Sequence, residues 1–241
     1  MNHKTALVTG ANKGIGFEIA RGLSKQGMNV LLGCRSREAG EAAVKALAAE
    51  GLSATALVLD VTRADTIAAA AQQIDSNHGR LDVLVNNAGI SAEGRVSPSK
   101  GDLNRVKQVY DTNVFGVMAV TQAMLPLLLR SESGRIVNVS SSLGSLGLTS
   151  DPDHPYSKFN LLGYNSSKSA LNAITVQFAN ELRATPVKVN AVCPGYVATD
   201  LNGRTGPRTP EQGARIAIQM AMIGSDGPSG GFFNEDGRVV W

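Results

Sequence analysis

Ala6-Leu7-Val8-Thr9-Gly10-Ala11-Asn12-Lys13-Gly14-Ile15-Gly16 decides how this chain folds. Three apolar residues stop at a glycine-rich turn, and Ile19, Ala20 and Leu23 then recur at helical spacing. Strand, glycine turn and helix together form the context in which such glycines carry meaning. A glycine admits a close approach that a Cβ would block. The amino end of the helix offers unpaired N–H groups and a positive dipole to a pyrophosphate. The spacing is G-x-x-x-G-x-G, not the G-x-G-x-x-G of the commoner dinucleotide fingerprint. Taken alone, the stretch reads equally well as an ordinary tight turn between strand and helix.

Working outward, Val30-Leu31-Leu32 is a second apolar strand, and it leads to Arg35, nineteen residues beyond Gly16. Dinucleotide folds place an acid near this point to hold a ribose 2′-hydroxyl, or an arginine to accept a 2′-phosphate. The first acid nearby, Glu38, already stands at a helix start. A guanidinium matches a phosphate through its planar fork of donors, and Lys13 adds a point charge, so both point to NADP(H) over NAD(H). A helix over residues 37–50 closes at Gly51, and a strand over residues 56–59 closes at Asp60-Val61. A helix over residues 64–78 and a strand over residues 81–85 follow, and the strand runs into Asn86-Asn87-Ala88-Gly89. Residues 102–130 read as one long helical region with Asn113 at its middle, and residues 136–139 as a strand entering Ser140-Ser141-Ser142. Residues 143–162 read as loop; a long helix then begins at Tyr164, carrying Leu171, Ile174, Phe178 and Leu182. Residues 187–192 make the sixth strand, 201–210 a mobile lid over the site, 210–223 a last helix and 230–233 a last strand. Strands and helices alternating at this spacing predict parallel pairing with right-handed crossovers. Continuous apolar strands predict cover on both faces. The expectation is one α/β domain over residues 1–241: a Rossmann-type doubly wound, mostly parallel seven-stranded sheet with helices on both faces.

Composition limits the function. Of 241 residues, 43% are hydrophobic and 18% charged, and the formal net charge is +3 with both signs interspersed. That balance suits an anionic small molecule, and no basic block or aromatic cluster offers a platform for nucleic acid. Cys34 and Cys193 lack metal-ligand spacing and read as buried reduced thiols. The amino terminus reaches a strand too soon to leave room for a signal peptide. The longest apolar stretch, residues 114–129, is interrupted by Gly116, Thr121, Gln122 and Pro126, too often to span a bilayer. A cytoplasmic protein is expected, with no nucleic-acid or membrane partner.

The chemistry centres on Tyr164 and Lys168, one helical turn apart on a shared face. A phenol titrates near pH 10 in water, and an ammonium beside it is expected to draw that value down toward useful proton transfer. Hydroxyls at the end of the fifth strand can donate to a substrate oxygen or merely cap the turn. Asn113 supports no functional reading by itself. His154 reads as a polar loop residue, and Tyr156 has Asn160, not lysine, four residues on.

Assembled in order, Thr9-Gly-x-x-x-Gly-x-Gly16, Asp60, Asn86-Asn-Ala-Gly89, Asn113, the serine run, Tyr164-x-x-x-Lys168 and Pro194-Gly195 resemble the short-chain dehydrogenase/reductase family over essentially the whole chain. The likeness is closest to its NADPH-dependent carbonyl reductase branch, through Lys13, Arg35, the Glu50-Gly51-Leu52-Ser53 segment and the Gly-Gly-Phe-Phe…Trp end. The resemblance implies that Tyr164 is the proton donor to the carbonyl oxygen and that Lys168 lowers its pKa and holds the nicotinamide ribose. It implies that Ser141, by register, bonds the substrate oxygen, and that Asn113 supports a water-linked proton relay through Lys168. Gly10, Asn12, Lys13, Gly14, Ile15 and Gly16 would hold the cofactor, with Arg35. Asp60 and Val61 would contact adenine, Asn87 and Ala88 the adenosine side, and Thr199 the nicotinamide amide. Gly89, Pro194, Gly195 and Val197 complete the cofactor set. The implied activity is NADPH-dependent reduction of aldehydes and ketones. Reduction of a 3-oxoacyl group on a carrier protein and a catalytically inactive nucleotide sensor are the alternatives. The 23 residues from Ser141 to Tyr164 exceed the spacing of most relatives but fall short of the insertion in monomeric carbonyl reductases. A monomer is the expectation, with a homo-oligomer still open.

Overall fold

The computed structural model describes residues 4–92, 94 and 96–241. Its first strand, β1 (Thr5–Thr9), has all five residues buried. Their side chains alternate: Ala6 and Val8 join one apolar cluster, and Leu7 joins another on the opposite face. A strand covered on both sides has no polar face to show, hence the uninterrupted apolar run. The next elements are α1 (Gly14–Lys25), β2 (Asn29–Cys34), α2 (Arg37–Ala48), β3 (Ala54–Val58), α3 (Ala64–His78) and β4 (Val83–Asn86). They are followed by α4 (Leu103–Tyr110), α5 (Val117–Leu128), β5 (Arg135–Val139), α6 (Leu146–Thr149) and α7 (Leu162–Glu181). The chain closes with β6 (Lys188–Val192), α8 (Pro210–Ala221), β7 (Phe232–Asn234) and β8 (Gly237–Arg238).

The strands lie in the order β3-β2-β1-β4-β5-β6-β7-β8. All pairings are parallel except the last, β7 with β8. The sheet is therefore eight-stranded rather than seven. Asn234 pairs with Gly237 across a tight reversal, and Gly237 supplies the φ of +126° that the turn requires. One apolar layer packs Ile19 and Leu23 of α1, Leu47 of α2 and Met220 of α8 against the sheet. The other packs Ile67 and Ile74 of α3, Met124 and Leu128 of α5 and Ala179 of α7. Asp82 sits in this interior at 3% exposure. It accepts from the Thr5 N–H at 2.8 Å, Ser131 Oγ at 2.6 Å and Arg80 Nε at 3.1 Å. A buried polar group needs such partners to offset its lost hydration.

Two further departures matter for function. The region 102–130 is not one regular helix, because residues Asp111–Gly116 between α4 and α5 wind as a π-helix. The extra residue in that turn carries Asn113 to the inside, where it is fully buried. Residues 143–162, expected as loop, contain α6 and two short 3₁₀ turns, Ser142–Gly144 and Pro155–Lys158. The serine turn lies on α7 so closely that a Cβ on Gly144 would stand 2.6 Å from the Lys168 backbone. Helix α7 itself opens at Leu162, two residues before Tyr164. No helix among the described residues is long and apolar enough to cross a membrane.

Candidate active site

The parallel strands deliver the nucleotide turn, the Asn87 segment, the serine turn and the Pro194 segment to the same edge, their carboxyl ends, where open α/β sheets bind ligands. Gly10 and Gly14 adopt φ of +64° and +58°, values that carry no Cβ penalty only in glycine. At Gly16 a Cβ would meet Asn87 Nδ2 at 2.4 Å and the Gly10 carbonyl at 2.5 Å. Asn87 fills that space by donating to the carbonyls of Thr9 and Gly10 at 2.9 and 3.2 Å. Thr9 Oγ1 in turn accepts from the N–H groups of Asn87 and Ala88, both at 3.0 Å. Thr9 is the hub of this cradle, a role its place in the motif does not reveal. Lys13 caps α1 without a side-chain bond to the helix, so the first N–H groups remain for an anion. Asn12 and Ile15 are half-buried beside them, and Arg35 is exposed at the end of β2. A glycine cradle, a helix amino end and two cations fit a phosphorylated dinucleotide.

Asp60 commits Oδ1 to Thr62, accepting from its N–H at 3.0 Å and its hydroxyl at 2.7 Å. Val61, 8% exposed, belongs to the core. Both stand just past the end of β3, at the carboxyl edge of the sheet. Gly195 holds φ +80°, and Val197 is buried beneath a turn that also carries Thr199. Lys13 Nζ is ion-paired with Asp200 at 2.7 Å, a partner the sequence did not suggest.

The serines separate by direction. Ser140 Oγ donates to Asn172 Oδ1 at 2.6 Å, and Ser142 donates to Cys193 Sγ through its N–H at 3.2 Å and its hydroxyl at 3.1 Å. Ser141 Oγ caps Leu143 N–H at 3.2 Å and hydrogen-bonds the Tyr164 side chain. Lys168, 5% exposed, donates from Nζ to the Val139 carbonyl at 2.7 Å. It lies 5.7 Å from the centre of the Tyr164 ring. Asn113 accepts from Ile90 N–H and donates to the Ile90 carbonyl, both at 2.9 Å, and to Ser167 Oγ at 3.0 Å. Asn113 thereby ties the segment after β4 to α7 through Ser167. A Cβ on Gly89 would lie 3.4 Å from Asn113 Oδ1 and 3.6 Å from Lys168 Nζ, so these three residues converge. Tyr156 packs its ring against His154 at 4.8 Å, and burial, then Cys193, raises its pKa. Residues 93 and 95, in the segment that follows Gly89, lie outside the described residues.

The electrostatics reverse one expectation. Burial pushes the Tyr164 phenol up to about 12, Cys193 adds to the rise, and the Ser141 hydrogen bond only partly opposes it. Burial also brings Lys168 down to about 8. The ammonium points at a carbonyl rather than the phenol oxygen, so desolvation outweighs the pairwise attraction on which the expected lowering of Tyr164 rested. An alkoxide is nonetheless a stronger base than a phenolate. A phenol held protonated at neutral pH is thus an acid ready to donate to a carbonyl being reduced.

The model of the family described as short chain dehydrogenase matches residues 4–209. A short-chain dehydrogenase of Penicillium roqueforti, anuI, is 39% identical over 225 residues, covering 91% of this chain and 88% of the relative. The (-)-isopiperitenone reductase of Mentha piperita is 35% identical, with 96% of each chain covered. Among solved structures, NADPH-bound carbonyl reductase from chicken fatty liver superposes with a TM-score of 0.85 at 27% identity, over the full length of both chains. The chain belongs to the short-chain dehydrogenase/reductase family and is an oxidoreductase by that membership.

Proposed function

We propose that this chain is an NADPH-dependent reductase that converts aldehyde and ketone carbonyls to alcohols. The observation that carries the reading is the hydrogen bond between Ser141 and Tyr164, with Lys168 one helical turn behind the phenol. Two hydroxyls joined at one edge can both reach a single carbonyl oxygen. Ser141 fixes that oxygen, and Tyr164 delivers the proton as negative charge grows on it. Lys168, held near pH 8, keeps a proton at neutral pH and places positive charge behind the phenol. Asn113 holds Ile90 and Ser167 in place beside Lys168, the support that a water-linked proton relay through Lys168 would need.

NADPH supplies the hydride when bound. Gly10, Asn12, Gly14, Ile15 and Gly16 form its pyrophosphate cradle, and Lys13 and Arg35 answer its 2′-phosphate. Asp60 and Val61 flank adenine, Asn87, Ala88 and Gly89 flank the adenosine side, and Lys168 holds the nicotinamide ribose. Pro194, Gly195, Val197 and Thr199 line the nicotinamide end. The substrate is a small-molecule carbonyl. Packing of residues 143–162 on α7, through Ser169 Oγ donating to the Gly144 carbonyl at 2.9 Å, supports a monomer, which a sedimentation mass tests. The decisive experiment follows NADPH oxidation at 340 nm (the cofactor's absorbance, about 340 nm) against a panel of aldehydes and ketones. Turnover of several panel members supports the reading, and NADPH binding with no turnover of any sinks it.

A further inference from the structure

The loop after β6 is closed at its neck, where Val197 pairs with Arg208 and Ala198 N–H donates to the Arg208 carbonyl at 2.8 Å. Within it Asn202 Nδ2 donates to the Val197 carbonyl at 2.7 Å and Arg204 N–H to the Thr199 carbonyl at 2.8 Å. The hydroxyls of Tyr196 and Thr205 hydrogen-bond each other. Arg204 sits at φ +61°, a left-handed backbone that a residue other than glycine holds only where its surroundings impose it. Asp200 is therefore presented from a braced turn. Its Oδ2 lies 2.7 Å from Lys13 Nζ and its Oδ1 3.0 Å from Arg204 Nε. Lys13 first, then Arg204, holds this carboxyl below the ordinary carboxylate range. Two cations share one anion, so Asp200 keeps a partner when Lys13 turns elsewhere.

Resting on the assignment of Lys13 to the cofactor's 2′-phosphate, we propose that Asp200 is a cofactor-selectivity residue. It competes with that phosphate for the Lys13 ammonium and so sets how much more tightly NADPH is held than NADH. Lys13 makes no capping bond to α1, and as an exposed, flexible side chain it can exchange Asp200 for the 2′-phosphate that it would share with Arg35. A dianionic 2′-phosphate outbids a single carboxylate for it. It must first break the existing ion pair, and it also meets the residual negative charge of Asp200. NADH, without that phosphate, asks Lys13 for less. The side chains are 66% and 46% exposed, and an exposed pair of this kind alters an equilibrium by about fivefold at most.

The test is equilibrium titration of NADPH and of NADH, read by cofactor fluorescence, on the wild-type chain, Asp200→Asn, Lys13→Ala and the double variant. Asp200→Asn is expected to tighten NADPH by about three- to fivefold and to move NADH by less than about twofold. On the Lys13→Ala background the same substitution is expected to have no effect on NADPH, and 0.5 M salt (about 0.5 M, where exposed pairs are screened) is expected to shrink the gain. Asp200→Ser repeats the measurement should asparagine cap the turn differently. Unchanged or weaker NADPH binding in both Asp200 variants overturns the proposal, as does equal tightening of both cofactors or a gain that survives loss of Lys13. A wild-type chain that binds no NADPH overturns the reductase reading itself, a separate and recognisable result.

Discussion

Lys168 gives its ammonium to the Val139 carbonyl at 2.7 Å rather than to the oxygen of Tyr164, the residue it stacks beneath. Its bond to β5 pins α7 to the strand that leads into Ser141. The lysine thereby sets the distance between the two hydroxyls as well as the charge near them.

Removing the phenolic hydroxyl isolates the proposed proton-transfer role. Tyr164→Phe keeps the ring and its packing, and is expected to lower kcat by about 10²- to 10⁴-fold, the usual worth of a positioned acid. The NADPH dissociation constant should stay within about twofold, since the ring's bulk is retained. Paired kinetic and fluorescence titrations check both. Residual turnover within tenfold of wild type (about one decade) contradicts the assignment.

The lowered pKa of Lys168 carries a stability signature. Below pH 8 the residue is charged in both the folded and the unfolded chain, and its burial penalty is fully present, on the order of 3 kcal/mol. Between about 8 and 10.5 the unfolded chain retains a proton that the folded chain has released, so this group raises stability as pH rises. Lys168→Met is therefore expected to melt higher than wild type at neutral pH, with the gap closing toward pH 10 (about the upper end of that window). Cys34, raised to about 11, and Tyr164, raised to about 12, push the other way at alkaline pH. Both chains carry them, so they cancel in the comparison. A gap that does not vary with pH in thermal melts contradicts the account.

Arg35 offers the clearest handle on cofactor choice. A charged hydrogen bond is worth about 1.5–3 kcal/mol, so Arg35→Ala is expected to weaken NADPH by roughly 10- to 100-fold. NADH affinity should change by less than about twofold, because it lacks the 2′-phosphate proposed to meet Arg35. Equal loss of both cofactors by calorimetry points to a folding defect instead.

Gly16→Ala tests the cradle. Its Cβ would fall 2.4 Å from Asn87 Nδ2 and 2.5 Å from the Gly10 carbonyl, and only the former can retreat. Overpacking of this kind costs about 1–3 kcal/mol. A lower urea midpoint is expected, together with weakened binding of both NADPH and NADH. An unchanged midpoint contradicts the packing argument.

How legible this was in the sequence depended on periodicity. Helix α3 has the bounds read from residues 64–78, because Ile67, Ala70, Ala71 and Ile74 recur there at helical spacing on one packed face. Asn113 was opaque, since nothing in Asp111–Gly116 marks a π turn and its inward rotation depends on that one extra residue. Residues 143–162 concealed α6 because a four-residue helix has no period to detect, only the Ser145 cap donated to by Leu148 N–H. The β7–β8 reversal was missed for the same reason, with β8 only two residues long. The Tyr164–Lys168 register was visible, but its electrostatics were not. Spacing shows that two groups are near each other, whereas burial, which decided the sign, comes from segments more than 20 residues away, such as the Val139 carbonyl and Cys193. Asp200 escaped notice because its partner Lys13 lies 187 residues distant.

The bond from Thr5 to the Asp82 carboxylate joins residues 77 positions apart. During synthesis β1 can find β2 early, yet its other edge stays open until β4 has emerged, leaving Leu7 and Val8 without their final neighbours. Pairing across such separations is slow, and an unclosed apolar edge invites other chains. Refolding yield from denaturant is accordingly expected to drop as protein concentration rises, and the formation of this ladder to limit its rate.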